Sequence, residues 1–218
     1  MPMDNLVRWW NRSSAMDRDY GMSAYWTYHC DIAAGGANIL ITAAVFALLS
    51  PNSDYDGNLR SMRIVLNGFA HRPYRTPVDQ LQGLGTYRHC AERAYQVLLG
   101  KHPDQVFGPN AHKTYNFYRN ILDPNDPQYV TIDGHMYNLW RGERTTLSEA
   151  KLKPGTYDKI AGEFKEVAQA VGVLPNVLQA TLRQCWKRTH RIRFDPQIDL
   201  PLMPLMPLMP LESELEEL

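Results

Sequence analysis

The chain has 218 residues, 44% of them hydrophobic, with 23 basic residues balanced by 23 acidic ones. That is enough apolar material for one sizeable core or two small lobes sharing a cleft. Cys30, Cys90 and Cys185 are too few and too scattered for a disulfide framework, a zinc knuckle or a four-thiolate iron–sulfur cluster, so a reducing, cytoplasmic setting with no cofactor is expected.

The N-terminal stretch holds Asp4 and Arg8 and has no apolar core of signal-peptide type before Trp9 and Trp10. Ile32 to Leu49 is uncharged and about long enough to span a bilayer, but its two glycines, Asn38 and Thr42 favour a buried core helix and no membrane partner. In NSDYDGNLRSMRIVLNGF, Leu59, Met62, Ile64, Val65 and Leu66 separate from Arg60 and Arg63, as an amphipathic helix requires. The two prolines of HRPYRTP break that pattern. Helical signal returns in TYRHCAERAYQVLLG, closed by Gly100, and in AHKTYNFYRNIL, closed by DPNDP. YVTIDGHMYNLW then runs from a β-branched stretch through Asp133 into another helical pattern, where the aspartate suits an N-cap. PGTYDKIAGEFKEVAQAVG follows, with Thr156 as a plausible cap and Ile160, Phe164, Val167 and Val171 on one face, and PNVLQATLRQCWKRTHRI ends in a basic cluster. No stretch repeats strand spacing, so the class is all-α over residues 1–195, as a single helical domain. Residues 196–218 combine a threefold PLM repeat with an acidic run; proline at every third position forbids an α-helix, so this reads as a disordered tail. With the four tail glutamates set aside, residues 1–211 carry 23 basic against 19 acidic residues. This mild excess is compatible with nucleic-acid binding without demanding it.

One pair of residues suggests chemistry. Lys113 sits on the first turn of a helix and Asp133 at the start of another, with a helix, a proline turn and the short extended VTI between them. A chain returning through that turn brings Asp133 back towards Lys113. Such a pair is either an ordinary surface ion pair or an amine nucleophile with a carboxylate that orients it and stabilises developing positive charge. The second suits attack at an acetal-like carbon.

KTYNFYRN followed by VTIDGHMYNLW resembles the helix-hairpin-helix DNA glycosylase superfamily, the endonuclease III and 8-oxoguanine glycosylase group. Lys113-Thr114 is similar to the family's Lys-Thr helix start, and Ile132 to Met136 to its V-D-x-H-V element. Upstream, ALLSPNSDYD is similar to the family's LLSxQxxD element, with Asn52 where a gap-filling glutamine often stands. The resemblance implies a two-lobed helical fold and a monomer acting on double-stranded DNA, with the target base flipped into a pocket. It also implies roles for two residues: Asp133 stabilises the cationic sugar, and Lys113 attacks C1′ and allows strand cleavage. The hairpin departs from the family's L-P-G-x-G pattern, reading Phe107-Gly108-Pro109-Asn110-Ala111. Pro109 removes one backbone donor there, and the cysteine cluster of endonuclease III is absent.

Candidate DNA contacts are Ser50, Asn52, Gly108, Asn110, His112, Thr114 and His135, joined by Lys187, Arg188 and Arg191 in the densest basic run, Trp186 to Arg193. A solvated helix end explains that run equally well. Tyr25, Trp26 and Tyr28 are candidates for stacking on an extruded base, with core packing the alternative. His102 and His112 have no partners at metal-ligand spacing, so no metal site is expected. The functional expectation is a DNA glycosylase with lyase activity on a damaged or modified base, including hypermodified phage bases in defence. The alternatives are a base-modifying enzyme of the same fold and a non-catalytic DNA-binding module.

Overall fold

A computed structural model describes residues 2–34, 38–71, 74–146 and 153–192. Ten helices and one 3-10 turn make up all its regular structure: α1 (Pro2–Arg12), α2 (Ala15–Ala33), α3 (Ile39–Leu49), α4 (Tyr55–Ala70), α5 (Arg88–Leu98), α6 (Pro103–Val106), α7 (His112–Leu122), α8 (Gly134–Arg141), α9 (Pro154–Val171) and α10 (Pro175–Thr189), with the turn at Val78–Gln80. The all-α expectation therefore holds for the described residues. The PLM-repeat tail and Arg193 lie outside them.

Two apolar clusters organise the packing. The first gathers around α3, whose residues from Thr42 to Leu49 are all buried, as befits a helix apolar on every side. Of the uncharged segment Ile32–Leu49, Ile32 at the end of α2 and Thr42 to Leu49 of α3 are buried, while residues 35–37 lie outside the described residues; no described helix is long and apolar enough to cross a membrane. On α4, Leu59, Met62, Val65 and Leu66 are buried while Arg60 and Arg63 are exposed, the predicted division of faces. The second cluster joins Leu6 of α1, Met136 and Leu139 of α8, Ile160 and Phe164 of α9, and Leu178 and Leu182 of α10.

Helices α2 and α10 connect the two clusters by close backbone approach. A Cβ on Gly21 would lie 1.9 Å from Thr181 Oγ1 and 2.8 Å from the Val177 carbonyl oxygen, so the contact requires glycine. Two terminal predictions are settled by geometry. Gly100 adopts φ 94° just beyond α5, as expected of a helix stop. Thr156 does not cap α9: the helix starts at Pro154, with Lys153 in the cap position and no side-chain cap bond. Proline is pre-shaped for that first position and has no N–H to satisfy.

The stretch that carries Asp133 is extended but pairs with no strand. Tyr157 Oη donates to the Val130 carbonyl (2.9 Å) and accepts from the Ile132 amide (3.0 Å). Asn120 Nδ2 donates to the Tyr129 carbonyl, the Thr131 hydroxyl donates to Asn120 Oδ1, and the Val130 amide donates to Asn116 Oδ1. Side chains thus supply the bonds that a sheet would otherwise provide to a buried backbone. Asn116 and Asn120, one turn apart on α7, thus tie residues 129–131 to that helix, and Asp133 lines the same cleft as Lys113.

Candidate functional site

An open cleft of about 120 Å³ lies against the first cluster. Tyr20, Ala24, Tyr25 and Tyr28 of α2 form one wall, with Phe46 and Phe117 behind them. Ser50, Ser53, Asp54, Tyr55 and Asn58 line the entry to α4, and Lys113, Thr131, Asp133, Gln179 and Arg183 the opposite side. The aromatic rings are mutually packed: Tyr28 stacks on Tyr55 with centroids 5.1 Å apart and meets Phe117 edge-on at 5.9 Å. Tyr25 Oη donates to Gln179 Oε1 at 2.9 Å. Tyr55 Oη donates to Asp31. Burial raises the phenols of Tyr25, Tyr28 and Tyr55 above the usual tyrosine range, so all three stay neutral and offer flat, uncharged surfaces to a ligand.

Asp133 is the N-cap of α8, its Oδ1 accepting from the Met136 amide at 2.9 Å. Its Oδ2 accepts from Arg183 Nε at 3.1 Å. Burial alone would raise this carboxyl, but Arg183, Lys113, His135 and the Met136 amide outweigh it and bring it down from 3.8 to about 2. The group is therefore a fixed anion at neutral pH. The predicted partner Lys113 lines the same cleft and acts on this carboxylate through its charge. Arg183 was missed by sequence reasoning. Its position in α10, four residues before Lys187, was readable only as helix spacing, and nothing local to it announces a carboxylate 50 residues upstream.

The remaining candidates divide. Tyr25, Tyr28 and Ser50 line the cleft, Ser50 with its hydroxyl donating to the Ala47 carbonyl. Asn52 does not line it; it sits between the lining residues Ser50 and Ser53 with φ 61°, a left-handed turn that asparagine tolerates better than most residues. Trp26 points elsewhere, 43% exposed and edge-on to His29, so it is not a wall of this pocket. Around the α6–α7 turn, the Ala111 amide donates to the Gly108 carbonyl and the Thr114 hydroxyl donates to the Ala111 carbonyl. The Thr114 hydroxyl is thereby engaged within its own helix turn. His112 packs on Tyr157 and, with Asn110 and Lys113, lines a second, adjoining cavity.

His135 is half-buried; burial lowers its pKa, and Arg183, Lys187 and Lys113 lower it further against the pull of Asp133. It is neutral at pH 7. The basic run at the end of α10 is not a uniform solvent face. Lys187 is only 6% exposed, and Arg188 Nε and Nη2 donate to the two oxygens of buried Asp17 at 3.2 and 2.6 Å. Trp186 lies against Trp9 and His190. Arg188 is thus a structural cation, Trp186 a core residue, and Arg191, exposed with φ 50°, remains at the surface.

No curated protein and no solved structure matches the chain. A family model does match it, over residues 2–190 and so across every described element. The chain therefore belongs to that group, described as a family of unknown function, DUF7178.

Proposed function

We propose that the protein is a DNA N-glycosylase with lyase activity, releasing a damaged or modified base through Asp133 and Lys113. The observation that carries this reading is the convergence of those two side chains, 20 residues apart in the chain, on one aromatic-walled cleft.

The chemistry follows from the charges. The glycosidic C1′–N bond breaks with its electron pair leaving on the base, and the resulting sugar cation is stabilised by the carboxylate that Arg183 and the α8 N-terminus keep ionised. Asp133 is too acidic at neutral pH to serve as a strong base, so its part is electrostatic. The Lys113 amine, after giving up a proton to water, donates its lone pair to C1′. The second amine proton passes to O4′ as the C1′–O4′ bond breaks and the ring opens to an iminium; the departed base anion then takes a C2′ proton, and the C3′–O bond breaks with its electron pair leaving on the 3′ phosphate. Tyr25, Tyr28 and Phe117 supply the flat apolar surface that an extruded base requires.

Borohydride trapping on duplexes carrying varied modified bases tests the proposal. A reduced covalent adduct is expected with the wild-type chain and none with Lys113→Ala; an adduct that survives this substitution removes the lysine from the mechanism.

A second reading, a DNA-binding module without catalysis, is favoured by one observation: both oxygens of Asp133 already have partners. It predicts salt-sensitive DNA binding with no base release.

A further inference from the structure

We propose that Asp54 is the specificity-determining residue of the cleft and that, with the rings of Tyr20 and Tyr28, it selects a nucleobase carrying a protonated aliphatic amine. The inference rests on the base-pocket reading above and narrows its substrate class.

Asp54 lines the cleft and is exposed. It is the N-cap of α4, and that duty engages one oxygen, Oδ1 accepting from the Gly57 amide at 2.8 Å. Among the described residues no group donates to Oδ2, and no lysine or arginine pairs with the carboxylate. The other acid of the lining differs, since Asp133 is matched by Arg183 at 3.1 Å. The cleft therefore carries an uncompensated negative charge on its α4 side, while Lys113 places positive charge on its α7 side.

The neighbours of Asp54 suit an ammonium. The Ser50 hydroxyl donates to the Ala47 carbonyl and the Ser53 hydroxyl to that of Asp54, so these two lining oxygens have only accepting capacity left. Tyr20 and Tyr28 are half-buried and line the same cleft. Tyr28 stacks on Tyr55, the residue next to Asp54, with centroids 5.1 Å apart. An alkylammonium has three donors and no acceptor, and the negative face of an aromatic ring attracts it. With C1′ held at Lys113, the edge of the base remote from the sugar is the part that can meet Asp54. A neutral edge leaves that carboxylate uncompensated, whereas an amine arm pairs with it. A site built around a polar group of its substrate discriminates against analogues lacking that group, because its own partner is then left unpaired.

The test uses fluorescent duplexes in which the target base bears an arm that leaves base pairing intact, with fluorine at C2′ so that the glycosidic bond survives the titration. 5-Aminomethyluracil is compared with 5-hydroxymethyluracil, and N6-(2-aminoethyl)adenine with N6-(2-hydroxyethyl)adenine, each opposite its ordinary partner. Positive charge added to DNA weakens non-specific binding, so a preference for the amine does not come from the backbone. For at least one pair the full-length protein should bind the amine form roughly tenfold tighter, and Asp54→Asn, which keeps a good helix cap, should abolish that preference. The wild-type ratio stands on its own should the variant fold poorly. Equal or weaker binding of the amine form in both pairs, or a preference that persists in folded Asp54→Asn, overturns the role of Asp54 and leaves the base-pocket reading intact. Failure to bind any of these duplexes overturns both.

Discussion

Helix α10 carries two arginines that each hold an aspartate at a helix N-terminus, and the two pairs have been put to different use. Asp17, in the first turn of α2, is 2% exposed and accepts four bonds: from the Ser14 amide and hydroxyl and from two nitrogens of Arg188. Three of these bonds converge on Oδ2 and one on Oδ1, and the carboxylate is closed off from solvent. Asp133 accepts two, from the Met136 amide and Arg183, and lines a cleft. The same components form a closed staple between α2 and α10 in one case and an anion with spare capacity in the other. Asp17 is enclosed within the architecture, whereas Asp133 keeps accepting capacity in a cleft, as the proposed site requires.

Neutralising each acid should separate the two roles. Asp133→Asn keeps an acceptor for the α8 cap but withdraws the charge. Base release should fall by about 10²–10³-fold, the usual cost of removing a preorganised electrostatic group, with DNA affinity nearly unchanged in anisotropy titrations. A variant that releases base at the wild-type rate would place Asp133 with Asp17 as a purely structural acid.

Asp17→Asn should act on folding instead. It leaves Arg188, whose side chain is 43% exposed, facing a neutral amide, and losing charge-assisted bonds to one buried partner costs on the order of 1–3 kcal/mol. Chemical denaturation should show this as a lower midpoint with unchanged slope, while the catalytic rate of the remaining folded protein stays at the wild-type value.

The comparison also explains what the sequence disclosed. The Asp133 cap, the α7 helix and the amphipathic faces of α4 and α9 are local patterns, readable from spacing and cap chemistry alone. Even the return of Asp133 to Lys113 was legible, because a single proline turn separates the elements. Arg183, Asn58 and Gln179 were not. Each reaches the cleft from a helix whose placement depends on long-range packing, such as the Gly21–Thr181 approach. The basic run misled for the same reason: Lys187 and Arg188 look alike in sequence to solvated cations, and only tertiary packing buries the first and pairs the second. Asp17 was equally invisible, since its partner lies 171 residues away.

A smaller, graded effect is expected from pH. The folded carboxyl of Asp133 stands at about 2 against 3.8 ordinarily, so its stabilising contribution is complete above about pH 4 and lost as pH falls through 2. The shift is worth roughly 2 kcal/mol. Asp17 is lowered too: burial pushes it up, and the bonds from Arg188 and Ser14 overcome that. Wild-type stability should therefore decline between pH 4 and 2, and Asp133→Asn should flatten part of that decline. An identical acid profile in the variant would mean that Arg183 does not hold the carboxylate in solution.

The smallest expected effect sharpens the boundary of the site. Trp26 shares α2 with Tyr25 and Tyr28 and looked equivalent to them in sequence, but helix geometry turns it about 100° from Tyr25 and about 200° from Tyr28, away from the cleft and against His29. Trp26→Ala should change base release by less than about twofold and stability by under about 1 kcal/mol, because the indole is 43% exposed and lies outside the apolar clusters. Tyr28→Ala, by contrast, removes a ring that stacks on Tyr55 and meets both Phe46 and Phe117. It should impair base release even in the fraction that remains folded. Measured side by side, a loss of activity in Trp26→Ala equal to that in Tyr28→Ala would show that the ligand lies across the outer face of α2 rather than within the cleft.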